Sequence, residues 1–451
     1  MADAGTVQSG VVQGAVRKAM WRLLPFLGFC YLLNYVDRTN VGFAALTMNG
    51  DLGLSAAAYG LGAGLFFIGY FFFEVPSNVI MHKVGARLWI ARIMVTWGII
   101  ASATAFVQGE ISFYIMRFLL GVAEAGFFPG IILYLTYWFP RVQRAKMVAL
   151  FFLAVPVSSV VGGPISTLLI QHGDGAWGFE EGWRFMFFVE GLPSILVGIV
   201  VLLLLPDRPH KAKWLSGEER DALEKQITAE DEAQVPHTTG LREGLRDSRV
   251  VGLSFVYFGI VFGSYVLAFF LPQVVSDLQE QFGIKFSIAQ IGLITAIPYA
   301  VACVVMVINA RHSDRTGERR LHVAVPAFVG AAGVAVALFM DSPYLVIAAM
   351  TLCAVGVNTA IPVFWQLPST FLTGVGAAAG IALINSFGNI GGFAGPYLTG
   401  FLRDLTGNNK AGMFVVAAFM VMAGIVVLVV GRRHERESLA AGTARATEEH
   451  R

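Results

Sequence analysis

The sequence predicts an all-α membrane protein, with twelve transmembrane helices in two six-helix bundles and both termini in the cytoplasm. Three observations lead there. Composition is the first: of 451 residues, 56% are hydrophobic and only 14% charged, against about 45–50% and about 25% in soluble domains. The second is run length. A bilayer core takes about 20 residues of helix at about 1.5 Å rise each, and apolar runs of that size recur near 23–46, 57–81, 87–107, 112–138, 146–170, 185–205, 251–275, 287–309, 322–340, 344–367, 377–402 and 411–431. They are read as helices because backbone facing lipid must satisfy its own hydrogen bonds, and because the alternation of barrel strands is missing. The third is the distribution of positive charge.

With the N-terminus inside, the cytoplasmic loops receive Arg17, Lys18, Arg22, Lys83, Arg87, Arg92, Arg141, Arg144, Lys146, Arg311, Arg315, Arg319 and Arg320, the basic residues of 206–249 and those of the C-terminal tail. The outer side receives Arg184, Lys285, Arg403 and Lys410. The positive-inside rule therefore sets both ends in the cytoplasm. The expected organisation is a cytoplasmic tail at 1–22, a bundle at 23–205, a cytoplasmic loop at 206–249, a second bundle at 250–431 and a tail at 432–451. In the central loop, Ser216 and Glu219 have capping-box spacing, so a short amphipathic helix is expected to begin there. The first run is too long for the apolar core of a signal peptide and carries Asn34, Asp37 and Arg38, so it is expected to be retained.

The two halves repeat. Gly85 pairs with Gly317 in short basic loops after the second and eighth runs, and Gly163-Pro164 pairs with Gly395-Pro396 late in the fifth and eleventh. Both pairs share one offset, 232 residues (317 less 85, 395 less 163). Duplicated six-helix halves are one transporter architecture.

Against this repeat the charges stand out. The ionisable residues read as embedded are Asp37 and Arg38 in span 1, Glu74 in span 2, and Arg117 and Glu124 in span 4. The same offset turns Asp37, Arg38, Arg117 and Glu124 into Phe269, Phe270, Ala349 and Gly356. The scaffold is repeated and the charges are not, which assigns them to a site, since ionisable groups in a membrane mark pathways. Arg38 lies about 22 Å along its span and Arg117 about 8 Å into span 4 from the other face, which brings both to a similar depth in a core about 30 Å thick. Two guanidiniums at one level suit a carboxylate, which a planar fork binds bidentately. Glu124, on the face of Arg117 two turns deeper, suits proton exchange. Blander readings stay open. Arg117 can snorkel to the outer interface, Arg38 can pair with Asp37 or Glu124 as structural glue, and Glu74 fits a gate or a structural role.

Asn34 and Tyr35 flank the face of Arg38, and Tyr70 lies in span 2. In the second half Asn358, Trp365, Gln366, Asn385 and Asn389 are the polar or amphipathic groups within spans, with helix–helix hydrogen bonding as their alternative reading. Cys30, Cys303 and Cys353 lie inside spans and read as small apolar filler. No disulfide framework is expected, and the eight histidines have no metal-ligand spacing. No metal or other cofactor, no nucleic-acid partner and no enzymatic activity are therefore expected.

At this point the chain resembles the major facilitator superfamily over about 20–435. Arg311-His312-Ser313-Asp314-Arg315-Thr316-Gly317-Glu318-Arg319-Arg320 matches that superfamily's cytoplasmic signature, which implies gating roles for Asp314, Arg315, Gly317 and Arg319 and for the first-half copies Gly85 and Arg87. The first-half copy lacks the acidic residue, so its motif salt bridge is not expected. Within the superfamily the chain resembles the anion:cation symporter group of tartrate, sugar-acid and aromatic-acid carriers, on Asn34-Tyr35-Val36-Asp37-Arg38-Thr39-Asn40, on 117–130 and on Gly182-Trp183-Arg184. The resemblance implies proton coupling through Asp37 and Glu124, substrate binding through Arg38, Arg117 and Tyr35, and matches for the group's span 10 tryptophan and span 11 asparagine at Trp365 and Asn385. The expected activity is proton-coupled uptake of a small organic anion across the cytoplasmic (inner) membrane by a multi-pass protein, expected as a monomer in the lipid bilayer. The alternatives are an exporter of drugs or metabolites and, more remotely, a membrane sensor or intramembrane enzyme.

Overall fold

A computed structural model of the protein describes residues 2–232, 247–368 and 374–448. The second part of the central loop (233–246) and the last residues of the C-terminal tail lie outside them. Every described element is helical. In chain order the helices are α1 (Ala2–Thr39), α2 (Val41–Asp51), α3 (Ala56–Val84), α4 (Ala86–Ala103), α5 (Glu110–Glu124), α6 (Phe127–Thr136), α7 (Arg141–Phe152), α8 (Ala154–His172), α9 (Gly182–Leu204), α10 (Gly217–Glu232), α11 (Ser248–Phe282), α12 (Ile288–Thr316), α13 (Leu321–Ala337), α14 (Pro343–Phe364), α15 (Gly374–Thr406) and α16 (Lys410–Glu448).

Among the described residues, nine helical stretches are long and apolar enough to cross a membrane. They are Ala56–Val84, Ala86–Phe106, Glu110–Thr136, Leu150–His172, Gly182–Leu204, Ser248–Phe282, Ile288–Thr316, Pro343–Phe364 and Lys410–Val430, and α13 is a shorter apolar helix. Their outward faces carry apolar residues such as Ile111, Leu203 and Val304, as a lipid-facing surface requires. The structure departs from the sequence at the N-terminus, where α1 runs unbroken from Ala2 and 2–22 is helix instead of a loose tail.

The chain forms two compact units. The first comprises Met1–Val235 with Lys285–Ala296, the second Pro236–Ile284 with Ile297–Arg451. Each is held by close helix crossings at small residues. In the first unit a Cβ on Gly121 would fall on the Phe66 carbonyl of α3, and one on Gly69 on the Phe118 carbonyl of α5. Gly98 of α4 and Gly191 of α9 meet in the same way. In the second unit Gly356 of α14 lies against Gly330 and the Pro326 carbonyl of α13, and Gly391 of α15 against the Phe258 carbonyl of α11. Without a hydrophobic drive between helices in lipid, such backbone contact is what binds them.

Span 4 is not one helix. α5 ends at Glu124, Gly126 takes φ +88, and α6 begins at Phe127. Only glycine fits there, for the left-handed backbone and for Ser77, which would meet any Cβ. In the central segment α10 starts as the sequence predicts: the Ser216 backbone N–H donates to Glu219 (2.9 Å) and the Glu219 N–H to Ser216 Oγ (3.2 Å). Lys18 of α1 pairs with Glu219 at 2.7 Å, and its hydrogen bond holds that carboxyl below the usual range.

Replacing Gly121 by valine should pry α3 from α5. Overpacking of this kind costs about 1–3 kcal/mol, read as a lower thermal midpoint of the purified protein. Gly28→Ala, at a helical position with open space around it, should leave the midpoint unchanged or raise it.

Candidate functional site

The charged cluster of the first unit is built on the last turns of α1 and α5. Arg38 and Glu124 form an ion pair, Arg38 Nη2 donating to Glu124 Oε2 at 2.7 Å and Nε at 3.1 Å. Asn34, one turn earlier on α1, donates its amide to the same carboxylate oxygen (2.8 Å) and accepts from Arg38 Nη2 (3.2 Å). Arg117 Nη2 reaches the Arg38 backbone carbonyl at 3.3 Å. That carbonyl lies at the irregular step between α1 and α2, around Asn40. Arg117 is 1% exposed and Glu124 is wholly buried, so Arg117 does not snorkel.

Aromatic rings close over the guanidiniums. Arg38 lies 4.9 Å from the Tyr35 and Phe66 ring centres and 5.4 Å from that of Tyr70, and Arg117 lies 5.4 Å from Phe66. One phenylalanine thus serves both cations. Such contacts contribute about 0.5–2 kcal/mol each once water is excluded. Glu124 Oε1 and Arg117 Nε are buried without a hydrogen-bond partner, so this polar cluster keeps both acceptor and donor capacity to spare.

Asp37 is one residue from Arg38 but serves a different interface. Its Oδ2 accepts from Trp97 Nε1 of α4 (2.9 Å) and from Ser194 Oγ of α9 (2.6 Å), while its Oδ1 has no partner. The two carboxylates assigned to proton coupling thus have different surroundings: Glu124 lies against an arginine, Asp37 against neutral donors. Glu74 is half-buried in α3.

One embedded carboxylate is missing from the residues singled out by sequence reasoning. Glu190 of α9 is buried, with Ser166 Oγ of α8 donating to Oε1 (2.7 Å) and Asn40 Nδ2 to Oε2 (2.9 Å). The charges are not confined to spans 1, 2 and 4. The available signal was a lone glutamate inside the run read as span 6.

In the second unit Trp365 follows α14, with its ring 4.8 Å from Tyr257 of α11, which stacks on Phe364 at 5.1 Å. Trp365 Nε1 is buried without a hydrogen-bond partner. Asn385 and Asn389 lie a turn apart on α15, half-buried and engaged. Asn358 donates to the Ala354 carbonyl of its own helix at 2.8 Å, which favours the packing reading for it. Tyr257 carried no signal beyond being an aromatic in a span.

The signature loops are well formed. In the second unit Asp314 pairs with Arg319 at 2.7 Å, Arg319 also holds Ser313 Oγ (2.7 Å), Arg315 is exposed and Gly317 has φ +70. In the first unit Gly85 takes φ +94 between α3 and α4, and His82 stands where the offset would put an acid. The acid comes from elsewhere. Asp207, beyond α9, accepts the Arg87 backbone N–H at 3.2 Å and lies 4.0 Å from its Nε. The expectation that this copy lacks a motif ion pair is thereby corrected: a carboxylate supplied 120 residues later replaces the local one.

A profile of the Major Facilitator Superfamily matches residues 27–396 and, again, 253–449. The chain belongs to the major facilitator superfamily. It is similar to a protein of Agrobacterium vitis named as a proposed tartrate transporter, with 49% identity over 95% of this chain and 94% of that one. It is also similar to a quinolone resistance transporter of Acinetobacter baumannii, with 42% identity over 94% of this chain and 96% of that one. Among solved structures, a bacterial homologue of the human lysosomal transporter Spinster superposes with a TM-score of 0.73 at 18% identity, covering 92% and 97% of the two chains, and shares the fold. The protein is a multi-pass membrane transporter, and neither the family nor these relatives are enzymes.

Removing either partner of the Arg38–Glu124 pair strands a buried charge, which costs about 3–5 kcal/mol. Arg38→Gln and Glu124→Gln should each lower the thermal midpoint, and the double variant should lose clearly less than the sum, as a double-mutant cycle on purified protein measures.

Proposed function

We propose that the protein is a proton-coupled importer of a small organic carboxylate, working by alternating access. The carrying observation is the cluster itself: two arginines and a glutamate, all buried, gathered under the rings of Tyr35, Phe66 and Tyr70. Arg38 and Arg117 would take the carboxylate, with Asn34, Tyr35 and Tyr70 beside them; within the second half, Trp365, Asn385 and Asn389 are the residues proposed to bind substrate. A tartrate-like dicarboxylate, a sugar acid or an aromatic acid fits this donor set, and the name of the Agrobacterium vitis relative favours the first.

Coupling follows from the ion pair. An incoming carboxylate competes with Glu124 for Arg38. A proton on Glu124 removes that competition, so loading and protonation favour each other. Asp37, held by neutral donors, would protonate alongside and lower the cost of rearranging a charged interior. After release inside, the protons leave and the Arg38–Glu124 pair re-forms.

The frame for this cycle is twelve spans in two six-helix bundles, 23–205 and 250–431, joined by the cytoplasmic segment 206–249, with cytoplasmic tails at 1–22 and 432–451, in the bacterial inner membrane and as a monomer. The signature residues Gly85, Arg87, Asp314, Arg315, Gly317 and Arg319 would latch the cytoplasmic ends. A second reading, drug export, is favoured by the name of the Acinetobacter baumannii relative, though two buried arginines disfavour apolar or cationic cargo.

Purified protein in liposomes with an imposed proton gradient tests the reading, with labelled tartrate, galactonate and an aromatic acid as probes. Wild type should accumulate one of them. Glu124→Gln should lose accumulation against a gradient, and undiminished accumulation would sink the coupling role. Arg117→Ala should weaken binding by about tenfold or more, the loss expected for a charged hydrogen bond, and unchanged affinity would remove Arg117 from the site. Drug efflux from cells without anion uptake would favour the second reading.

A further inference from the structure

α1 and α9 run antiparallel past one another through two hydrogen-bonded rungs. Asp37 and Ser194 form one rung, Asn40 and Glu190 the other. They are three residues apart along the end of α1, Asn40 standing at the step just after it, and four apart on α9, so both rungs lie on facing sides of the two segments. Each rung holds a buried carboxyl whose hydrogen-bond donors are neutral: Ser194 and Trp97 for Asp37, Ser166 and Asn40 for Glu190. Among the described residues neither carboxyl has an ion-pair partner, unlike Glu124.

The side chains that touch Glu190 are neutral, Ser166 of α8 and Asn40 beyond α1. The charged group facing it from α1 is Asp37, which lies in its electric field. The nearby polar groups of α4 and α8 are uncharged and bonded elsewhere: Trp97 to Asp37, Ser102 to the Phe188 carbonyl and Thr167 to the Gly163 carbonyl. An ionised carboxylate in such a place costs several kcal/mol, even with good hydrogen bonds. The rung can also accept the other state. Asn40 Oδ1 is buried with no hydrogen-bond partner. If Oε2 of Glu190 takes a proton, a half-turn of the Asn40 amide presents Oδ1 to it as acceptor, since the two ends of an amide have nearly the same shape. The amide–carboxyl rung therefore serves a charged or a neutral Glu190 without any helix moving.

We propose that Glu190 is a further proton-exchanging carboxyl of the carrier, taking up and releasing its own proton beside Asp37. This rests on the proton-coupled reading and deepens it, because it adds a third titrating group to a cycle otherwise assigned two. The step is proton transfer alone: a proton from outer water binds Oε2, is held through the conformational change and returns to cytoplasmic water. Ser166 ties this carboxyl to α8, just beyond Gly162-Gly163-Pro164, where α8 rests against Val36 and Phe43. A change of charge at Glu190 is thus felt at the contact of α8 with α1 and α2.

Infrared difference spectroscopy on the purified full-length protein follows the carbonyl stretch of a protonated carboxyl as the pH is stepped through the neutral range. Wild type should show a titrating band that Glu190→Gln lacks and that Glu124→Gln retains. An unchanged spectrum in Glu190→Gln would overturn the proposal. Should that variant not fold, Ser166→Ala removes a donor that favours the ionised form, so the midpoint of the band should move up, and an unmoved midpoint would equally overturn it. In liposomes with tartrate as probe, Glu190→Gln should lose gradient-driven accumulation and keep tartrate exchange at the wild-type rate; equal loss of both marks a purely structural residue. If wild-type vesicles ignore the proton gradient, the coupling reading fails, and the infrared band still decides whether Glu190 exchanges a proton.

Discussion

The first unit is organised around one constraint: an arginine and a glutamate have been taken out of water together. Arg38 and Glu124 meet at 2.7 Å with the glutamate wholly buried. Neither charge can be left alone in such a place at small cost, so the surrounding polar groups turn toward the pair. Asn34 bonds to both partners, Arg117 comes up behind the Arg38 carbonyl, and Phe66 lies beneath both guanidiniums. The backbone follows the same demand. α1 is interrupted just after Arg38 and α5 ends at Glu124, so both charges lie at helix ends, where a neighbouring carbonyl or a glycine bend is available.

This places two kinds of acidic group in one bundle. Glu124 is neutralised by a cation, Arg38. Asp37 and Glu190 are neutralised by nothing but amide, indole and hydroxyl donors along the α1–α9 ladder. The proposed cycle uses both: a charge that would exchange partners when substrate binds, and charges that would be discharged when the helices move. The signature loops repeat the theme, since Asp314 and Asp207 hold equivalent arginines from quite different positions in the chain.

The scaffold was legible because lipid imposes a length on apolar runs, and the site was legible in part because charge in such runs is rare. Helix rise alone brings Arg38 and Arg117 to one depth, and the face shared by Arg117 and Glu124 follows from a seven-residue spacing. Pairing between distant elements was not legible. Glu190 is one acid in an apolar run, and its partners Ser166 and Asn40 are 24 and 150 residues away. Asp207 replaces the absent motif acid from beyond α9, and no local pattern announces it. The bend at Gly126 was hidden too, since a glycine in an apolar run reads equally as close packing. The stacking of Tyr257 on Phe364 depends on three-dimensional neighbours alone.

The reach of these pairings bears on how the chain is made. Arg38 leaves the ribosome 86 residues before Glu124, and Asp37 precedes Ser194 by 157. Inserting an arginine or an aspartate at mid-helix costs about 2.5–3.5 kcal/mol, and α1 carries one of each side by side. Until α5 has been synthesised, Arg38 has Asn34 of its own helix and the α3 rings but not its carboxylate, and Asp37 gains its Trp97 donor with α4 and its Ser194 donor only with α9. α1 must wait where water or the translocon can still reach it, and it enters lipid fully only in the company of α5 and α9. Biogenesis of the first bundle is therefore a joint event, closed by the helix made last.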